Sequence, residues 1–311
     1  MTNPNPTNLS ASVRQRLKNI ADESGRPFAE VLQWYAIERF LARFAITPHR
    51  DTFLLKGAAL LRAWEVNPAR PTMDIDLGIG KTLSLDEAMA VVTDCLTVDA
   101  EPDGLVFDPE SVIGEPIRIA QEHPGMRVRC RGVLGTARVT LQVDIGFGDV
   151  VVPEPVEIDY PALLGIALPR IRGYRLETVV AEKLESIVSL GVRTSRMKDY
   201  FDLWWLLKNR SFEGGDIIGA VTTTFGRRKT KGPQDVPEGL SERMAESEEK
   251  RRQWDAFIRR MRFEHPPASF SEAITIIREF AMPVLEAVGE GVRFDKHWAA
   301  EQGWERVEEG G

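Results

Sequence analysis

A glycine turn followed by two aspartates on one strand constrains this chain more than any other feature. The turn lies in residues 56–61 (KGAALL), where an apolar strand leads into a helix, and the acids are Asp74 and Asp76. Side chains along a strand alternate between its faces, so both carboxylates point the same way while Ile75 and Leu77 point into the fold. The pattern predicts a sheet in which the backbone N–H groups of the turn stand opposite two carboxylates.

The acid pair itself predicts a cation site. Two carboxylates a few ångströms apart repel each other at neutral pH and need a compensating positive charge. Oxygen ligands suit Mg²⁺, which proteins typically bind through one or two carboxylates together with substrate phosphates. A solvated strand edge or a helix-capping turn is the alternative, but apolar flanking residues make an unneutralised pair costly. The sequence therefore predicts a metal-dependent phosphoryl or nucleotidyl transfer site at Asp74 and Asp76.

A third carboxylate follows on a later predicted strand. Asp144 lies in residues 139–146 (VTLQVDIG), between apolar neighbours. It can be a buried carboxylate that backbone groups or an arginine satisfy, and the sequence leaves that interpretation open. If its strand lies beside the strand of Asp74 and Asp76, the three acids would suit a two-metal site.

Three arginines alternate along another predicted strand. Arg127, Arg129 and Arg131 are two residues apart, so they project from one face. They can simply face solvent. Beside an acidic strand they could also bind a triphosphate or an RNA backbone, because a guanidinium group binds phosphate through two parallel hydrogen bonds.

Two later helices carry further charged residues. Lys183 follows Glu182 in a helical segment, and Asp199 and Asp202 stand three residues apart, so these two share a helix face. The residues alone favour a solvated helix face for Lys183. For the two aspartates they favour an acidic first helical turn that complements the helix dipole.

Bulk composition limits the partners and the compartment. A net charge of −7 over 311 residues argues against a body that coats nucleic acid non-specifically, but it leaves room for a local basic groove. Cys95 and Cys130 lack the spacing of a zinc site and predict no disulfide framework. Neither a leader-like start nor an apolar run of about 18 residues is present, so we expect a cytoplasmic protein without membrane contact.

Periodicity and turn residues predict an α+β chain, in which a small mixed β-sheet with helices is flanked by helical segments on both sides. We expect an N-terminal helical segment (1–50), a core (51–170) and a C-terminal helical domain (171–311). At the N-terminus we expect a disordered tail (1–8) and a first helix capped by Ser10 or Ser12, and further on a helix capped by Ser84. Strands are expected over 116–120, 126–131 and 137–147, with a hairpin turn over 132–135. We expect a mobile linker over 227–250.

Four segments, taken in order, resemble a known family. They are residues 56–60 (KGAAL), 70–77 (RPTMDIDL), 182–184 (EKL) and 196–203 (RMKDYFDL). Over residues 30–210 their order is similar to that of the polymerase-β-like nucleotidyltransferase superfamily, and more narrowly to the AbiEii/AbiGii toxins with their MenT-like members. Four such segments in one order are specific, although each is short.

The resemblance implies a nucleotidyltransferase-type core and a toxin of a type IV toxin–antitoxin or phage-defence system. Such toxins transfer a nucleotide from an NTP, in some cases to the 3′ acceptor end of tRNA, which blocks translation. The implied substrates and partners are an NTP, an RNA such as tRNA, Mg²⁺ or Mn²⁺, and a cognate antitoxin.

The resemblance also assigns roles to individual residues. It implies that Asp74 and Asp76 bind metal, that Lys183 contacts nucleotide phosphates and that Asp199 is a further essential acid. Thr72 stands where relatives carry a Ser or Thr that can be modified to silence the toxin. The expected nucleotide-binding residues are Lys56, Gly57, Ala58, Thr72, Arg127 and Arg129, and the expected metal ligands are Asp74, Asp76 and Asp144.

Ala58 departs from the Ser or Gly that usually follows the turn glycine in this superfamily. Alanine keeps the backbone N–H but has no hydroxyl, so contact with phosphate through the backbone remains open.

Two other functions remain open at this point. The nucleotide could be transferred to a protein or a small molecule, or the chain could be a non-catalytic nucleotide-binding module that keeps only the fold. Intact Asp74, Asp76 and Lys183 argue against the non-catalytic module.

Overall fold

A computed structural model describes residues 6–64, 72–119, 123–148, 150–166, 170–233, 235–261, 263 and 265–306. These residues divide into two compact units. The first unit holds the N-terminal helices and the larger sheet and ends at Gly173. The second unit comprises Val150–Pro155 and the described chain from Tyr174 onward.

The first unit combines helices with a long run of strands. In chain order its elements are α1 (Pro6–Ser24), α2 (Phe28–Phe44), a 3-10 turn (Pro48–Asp51), β1 (Leu54–Lys56), α3 (Gly57–Ala63), β2 (Ile75–Ile79), α4 (Leu85–Thr97), β3 (Leu105–Ile119), β4 (His123–Leu134), β5 (Ala137–Phe147), β6 (Val156–Asp159) and β7 (Arg170–Gly173).

The strands of the first unit form one mixed sheet in the order β3-β4-β5-β2-β1-β7-β6. β2 runs parallel to β5 and β1 parallel to β7, whereas the other neighbours are antiparallel. The alternation predicted for β2 is confirmed, because Ile75 and Leu77 are buried while Asp76 between them is partly exposed. The sheet therefore has a buried apolar face and a face that carries polar residues.

Helices α2 and α4 pack on the buried face. Phe40 of α2 meets Phe107 of β3 edge to face, with 6.5 Å between ring centroids. Gln33 of α2 donates from Nε2 to the carbonyl oxygen of Met73 at 2.9 Å, just before β2. Ser84 caps α4 through a capping box, as predicted. These contacts fix β2 and its neighbours, so the opposite face is left to the acids.

The second unit is mainly helical. Its elements are α5 (Leu176–Leu190), a 3-10 turn (Gly191–Arg193), α6 (Met197–Asn209), β8 (Phe212–Glu213), α7 (Gly214–Arg228), a 3-10 turn (Glu238–Leu240), α8 (Glu242–Glu246), α9 (Glu248–Met261), α10 (Phe270–Glu290), β9 (Lys296–Ala299) and β10 (Gly303–Arg306). The last two strands pair with β8 in a small antiparallel sheet, in the order β10-β9-β8.

Aromatic side chains hold α6 at the centre of the second unit. Phe201 of α6 stacks on Phe263 with 3.7 Å between ring centroids, and Trp254 of α9 packs beside it. The indole N–H of Trp298 in β9 donates to the carbonyl oxygen of Leu207 at 2.9 Å. Because α6 is fixed by these contacts, the charged residues of its first two turns also have fixed positions.

The predicted fold class is confirmed, since a mixed sheet with helices is preceded and followed by helical segments. The strand expected over 137–147 is confirmed as β5. Cys95 and Cys130 are buried and are not joined in a disulfide. Within the described ranges, we find no helix with the length and apolarity that crossing a membrane requires.

The start of the chain differs from the prediction. α1 begins at Pro6, so Ser10 and Ser12 lie inside this helix and cap nothing. Ser10 instead donates from its hydroxyl to the carbonyl oxygen of Gly104 at 2.7 Å, a long-range contact that local sequence does not reveal. Residues 1–5 of the predicted tail lie outside the described residues.

The two strands before β5 are longer than predicted. β3 begins at Leu105 because it pairs with β4 along nearly its whole length. The hydrogen bonds of this pairing stabilise the part of β3 for which the local sequence predicted no strand. Residues 132–134 belong to β4, so the turn is shorter than expected. It lies at Gly135 and Thr136, where Gly135 adopts a left-handed φ of 61°.

The linker predicted over 227–250 is wrong for much of its length, because residues 227–228, 238–240, 242–246 and 248–250 are helical. Leu240 and Met244 are fully buried. Lys250 is 7% exposed and donates from Nζ to the carbonyl oxygen of Thr194 at 2.7 Å. Apolar residues spaced among many charges were enough to pack this segment. The strands β9 and β10 were also not predicted.

Candidate active site

Five charged residues form one row across five neighbouring strands. By register, Lys56 of β1 lies opposite Asp76 of β2, which lies beside Asp144 of β5. Asp144 lies opposite Arg127 of β4, and Arg127 lies opposite Glu115 of β3. Residues paired in this way share a face, and adjacent strands are about 4.8 Å apart. This set, which we call the charged row, therefore places two carboxylates side by side with a cation on each flank.

Gly57 makes room for Asp76. Its φ is 68°, and a Cβ built at this position would lie 1.9 Å from Oδ2 of Asp76. A side chain at position 57 would thus be strained by the backbone conformation and would also collide with the carboxylate. The glycine of the turn is required at this approach of α3 to β2. Ala58, the next residue of α3, is partly exposed.

The segment before β2 carries two of the predicted site residues. Asp74 lies in the bend that leads into β2 and is partly exposed, as Asp76 is. Thr72 is only 2% exposed. Its hydroxyl would have to leave this position before another enzyme could modify it. Modification of Thr72 stays a prediction.

Asp144 is held by Arg127 through two hydrogen bonds. Nε of Arg127 donates to Oδ1 at 2.8 Å and Nη2 donates to Oδ2 at 2.7 Å. The hydrogen bonds to Asp144, and after them the charges of Asp144, Glu115 and Asp74, raise the pKa of the Arg127 guanidinium, against an opposing effect of burial. The sequence left open whether Asp144 is a buried carboxylate satisfied by an arginine. The structure contains this arrangement.

The next two arginines of β4 also have partners on this face. Arg129 donates from Nε to Oε1 of Gln142 at 3.1 Å and pairs with Glu115 at 3.0 Å. Arg131 pairs with Asp108 at 3.0 Å, and its side chain is 69% exposed. Phosphate binding by Arg127 or Arg129 stays a prediction, and it would require each guanidinium to exchange its present partner for a phosphate.

The second unit contains a separate ion cluster around Lys183. Its Nζ donates to Oδ1 of Asp199 at 3.0 Å and to Oδ2 of Asp202 at 2.7 Å. Both acids are buried, with 6% and 2% exposure. Burial disfavours ionised Asp199, but Lys183, Lys198 and Arg196 outweigh this effect and hold the pKa of Asp199 below its usual range. The cluster fastens α5 to α6.

The solvated helix face that the residues alone favoured for Lys183 is therefore wrong. Lys183 is 14% exposed in its side chain, because its two acidic partners lie on the facing helix rather than in solvent. Asp202 was not among the predicted site residues, although it makes the shorter bond. Its spacing three residues after Asp199 was the available signal, since both then share one helix face.

A second buried ionic contact lies beside this cluster on α5. Glu185 accepts from Nη1 of Arg228 and from the hydroxyl of Thr230, both at 2.5 Å. Nη2 of Arg228 bonds Glu182 at 3.2 Å. Arg228 thereby fastens the end of α7 to α5.

The carboxylates of the charged row are hard oxygen donors, the ligand type that Mg²⁺ prefers. Asp76 and Asp144 are register neighbours, Asp74 precedes them, and the guanidinium of Arg127 already stands as a cation on Asp144. No group of three His, Cys, Asp or Glu side chains in the described chain is arranged to hold a metal ion. Both oxygens of Asp144 are engaged by Arg127. Metal binding by Asp74, Asp76 and Asp144 stays a prediction.

The family model "Nucleotidyl transferase AbiEii toxin, Type IV TA system" matches residues 39–276. This match covers well over half of the sequence, and the chain belongs to that family of toxins. The description of the family implies an antitoxin partner and an NTP substrate. A comparison with the curated proteins finds no match.

Two crystal structures from Helicobacter pylori are similar to the chain. JHP933 has 12% sequence identity and a TM-score of 0.45, over 85% of this chain and 93% of its own. A second protein, provisionally described as a nucleotidyltransferase, has 14% identity and a TM-score of 0.42, over 84% of this chain and 95% of its own. Both likenesses are distant.

Proposed function

We propose that this toxin transfers a nucleotide from an NTP to the 3′ end of an RNA, with the acceptor end of tRNA as the acceptor. The transfer would block translation in the cytoplasm. The charged row carries the proposal, because adjacent carboxylates beside a glycine turn suit a reaction at a phosphate group. Membership of the family supports nucleotidyl transfer, and the resemblance of the four sequence segments supports the tRNA acceptor.

In the proposed reaction, the 3′-oxygen of the RNA attacks the α-phosphorus of the NTP and pyrophosphate leaves. One P–O bond forms and the bond to the β-phosphate oxygen breaks. Asp144 would take the proton of the attacking hydroxyl. Asp74 and Asp76 would hold Mg²⁺ or Mn²⁺, which when bound supplies positive charge to the phosphates.

The remaining residues of the site would bind the nucleotide. Gly57 keeps the space beside Asp76 clear, and the backbone N–H groups of Gly57 and Ala58 would donate to phosphate. Lys56 stands opposite Asp76 in the strand register, where its ammonium would limit the repulsion between the acids. Arg127 and Arg129 are the cations of this face that would meet a triphosphate.

Lys183 and Asp199 enter the proposal through the family resemblance. Lys183 would contact nucleotide phosphates, and Asp199 would be an essential acid. Their present contacts with one another and with Asp202 also stabilise the second unit. A loss of activity on substitution must therefore be compared with a measured loss of stability before a role in the reaction is assigned.

The test is incubation of the purified protein with total RNA, Mg²⁺ and each labelled NTP in turn, followed by sequencing of RNA 3′ ends. We expect one NTP to extend tRNA 3′ ends. Asp76→Ala should abolish the label and leave the circular dichroism spectrum unchanged. Asp159→Ala, which removes an exposed strand carboxylate in the same sheet, is the matched control and should keep the label.

Labelling that survives Asp76→Ala would remove the assignment of the charged row. Label that resists RNase would instead favour a protein acceptor. If calorimetry finds no Mg²⁺-dependent NTP binding, the chain would be a non-catalytic module.

A further inference from the structure

The contact between Arg127 and Asp144 engages both oxygens of the carboxylate. The two hydrogen bonds, at 2.8 and 2.7 Å, occupy one oxygen each. The carboxylate lies inside, with 7% of the Asp144 side chain exposed, whereas 29% of the Arg127 side chain is exposed. The cation is therefore the partner that can leave toward solvent, and the acid is the partner that stays.

This contact reduces the electrostatic repulsion among the acids of this face. Asp74, Asp76 and Asp144 would repel one another if no cation stood among them. Arg127 supplies that charge at Asp144, and its electrostatic interaction with Asp74 extends its effect across the group. The same contact competes with a metal ion or a transferred proton for the carboxylate of Asp144, whose Oδ2 also accepts from Nε2 of Gln142 at 3.5 Å.

We propose that Arg127 is a positioning residue that holds Asp144 in the absence of ligand and exchanges it for the phosphates of the incoming nucleotide. A divalent cation and Arg127 then compete for the carboxylate of Asp144. Carboxylate and phosphate both accept two parallel hydrogen bonds from one guanidinium, so the released side chain meets a partner of the same geometry. This inference rests on the proposed function for its nucleotide, but not for the competition at Asp144.

The competition is tested by calorimetric titration of the full chain with Mn²⁺ alone. Arg127→Met keeps most of the side-chain stem and removes the cation. It should bind Mn²⁺ about tenfold more tightly than the natural sequence, because no charged hydrogen bond has to be broken first. In the double variant Arg127→Met/Asp144→Asn this gain should disappear.

Arg170→Met is the matched control. Arg170 also pairs across strands of the same sheet with an aspartate, Asp159, at 3.0 Å, but both side chains are more than half exposed. Its Mn²⁺ affinity should equal that of the natural sequence. If Arg127→Met fails to fold, Arg127→Lys replaces it, since lysine keeps the charge and loses the two-fold hydrogen bond; a smaller gain in Mn²⁺ affinity is then expected.

The second half of the exchange is tested with a non-hydrolysable NTP analogue in saturating Mn²⁺. Arg127→Met should bind the analogue about tenfold more weakly, since its phosphates lose one charged contact. Equal or weaker Mn²⁺ binding by Arg127→Met would overturn the competition, and unchanged binding of the analogue would overturn the transfer of Arg127 to phosphate.

These outcomes can be distinguished from a failure of the proposed function. Tighter Mn²⁺ binding by Arg127→Met in a protein that labels no RNA would keep the competition and reject RNA as the acceptor. RNA labelling by the natural sequence, with no change of Mn²⁺ affinity in Arg127→Met, would keep the function and reject the competition.

Discussion

The charged row of the first unit and the Lys183 cluster of the second unit accommodate their acids in different ways. In the charged row of the first unit, Asp76 is partly exposed, and Asp144 is bonded to an arginine that reaches solvent. In the second unit, Asp199 and Asp202 are almost fully buried, and both are bonded to the ammonium of Lys183.

The difference teaches which site is suited to a ligand. Asp144 itself is as buried as the acids of the second unit, but its cation Arg127 is 29% exposed in its side chain, against 14% for Lys183. An exposed cation can change partners, because water compensates for it during the exchange, provided that a ligand takes over the carboxylate that it leaves. A buried charge that loses its partner is left uncompensated, which is costly. The charged row is therefore suited to binding and release. The cluster of Lys183, Asp199 and Asp202 is suited to holding α5 and α6 together.

Lys183→Met should have the largest effect on stability. It leaves two buried aspartates without their cation, and breaking such a buried pair typically costs about 3–5 kcal/mol. Urea denaturation at neutral pH measures the change in the free energy of unfolding. Lys208→Met, on the solvent side of α6 with a pair at 3.5 Å to Glu301, is the control and should change little. A loss below about 1 kcal/mol for Lys183→Met would break the comparison, since such a value is typical of surface pairs.

Gly57→Ala should rank second, with a loss of about 2–4 kcal/mol from a strained φ together with overpacking. Its Cβ would lie 1.9 Å from the Asp76 carboxylate. Gly25→Ala is a close control, because Gly25 has a φ of 64° and no atom within 4 Å of its added Cβ. Urea denaturation of both variants measures their free energies of unfolding. The loss in Gly25→Ala reports backbone strain alone, and the additional loss in Gly57→Ala reports the collision.

A double-mutant cycle sharpens that result. An Asp76→Ala background removes the two carboxylate atoms at 1.9 and 2.6 Å and leaves the Cβ of residue 76 at 2.9 Å, so Gly57→Ala should cost less there than in the natural sequence. An equal cost of Gly57→Ala in both backgrounds would mean that Asp76 does not limit position 57.

Acid should weaken the second unit through Asp199. The pKa of this acid is lower in the folded protein than the usual 3.8. Its ionised form therefore contributes stability above that usual value, and the contribution is lost as the pH falls through the lower folded pKa. Asp199→Asn should unfold with a flatter pH dependence below about pH 4 than the natural sequence. Denaturant midpoints recorded at falling pH measure this, and Asp159→Asn, on the exposed β6, should retain the natural slope.

Arg170→Met should have the smallest effect. Arg170 and Asp159 form a cross-strand pair with exposed fractions of 63% and 65%, and such surface pairs contribute less than about 1 kcal/mol. The change in melting temperature of Arg170→Met is the reference with which the change for Arg127→Met is compared. If Arg170→Met proves as destabilising as Arg127→Met, the lower exposure of the Arg127–Asp144 pair has no energetic consequence.

Much of the fold could be predicted from short-range patterns. The alternation around Asp76 and the strand that carries Asp144 were both predicted from neighbouring residues, and the helix after Ser84 was predicted from its capping pattern. The early start of β3, the contact of Ser10 with Gly104 and the packing of Lys250 could not be predicted this way. Each depends on a partner distant in sequence, and such a partner leaves no local pattern.

The sequence by itself determined the chemistry available at the site: a glycine where the chain needs a left-handed turn, acids two apart on a strand, and arginines two apart on another. Only the tertiary structure decided which of these residues are partners. Strand register places Asp76 beside Asp144 and pairs Asp144 with Arg127. Helix packing brings Lys183 into contact with Asp199 and Asp202. The physical reason is that a residue type fixes a charge and a hydrogen-bonding capacity, whereas its partner and its burial are fixed by contacts between distant segments.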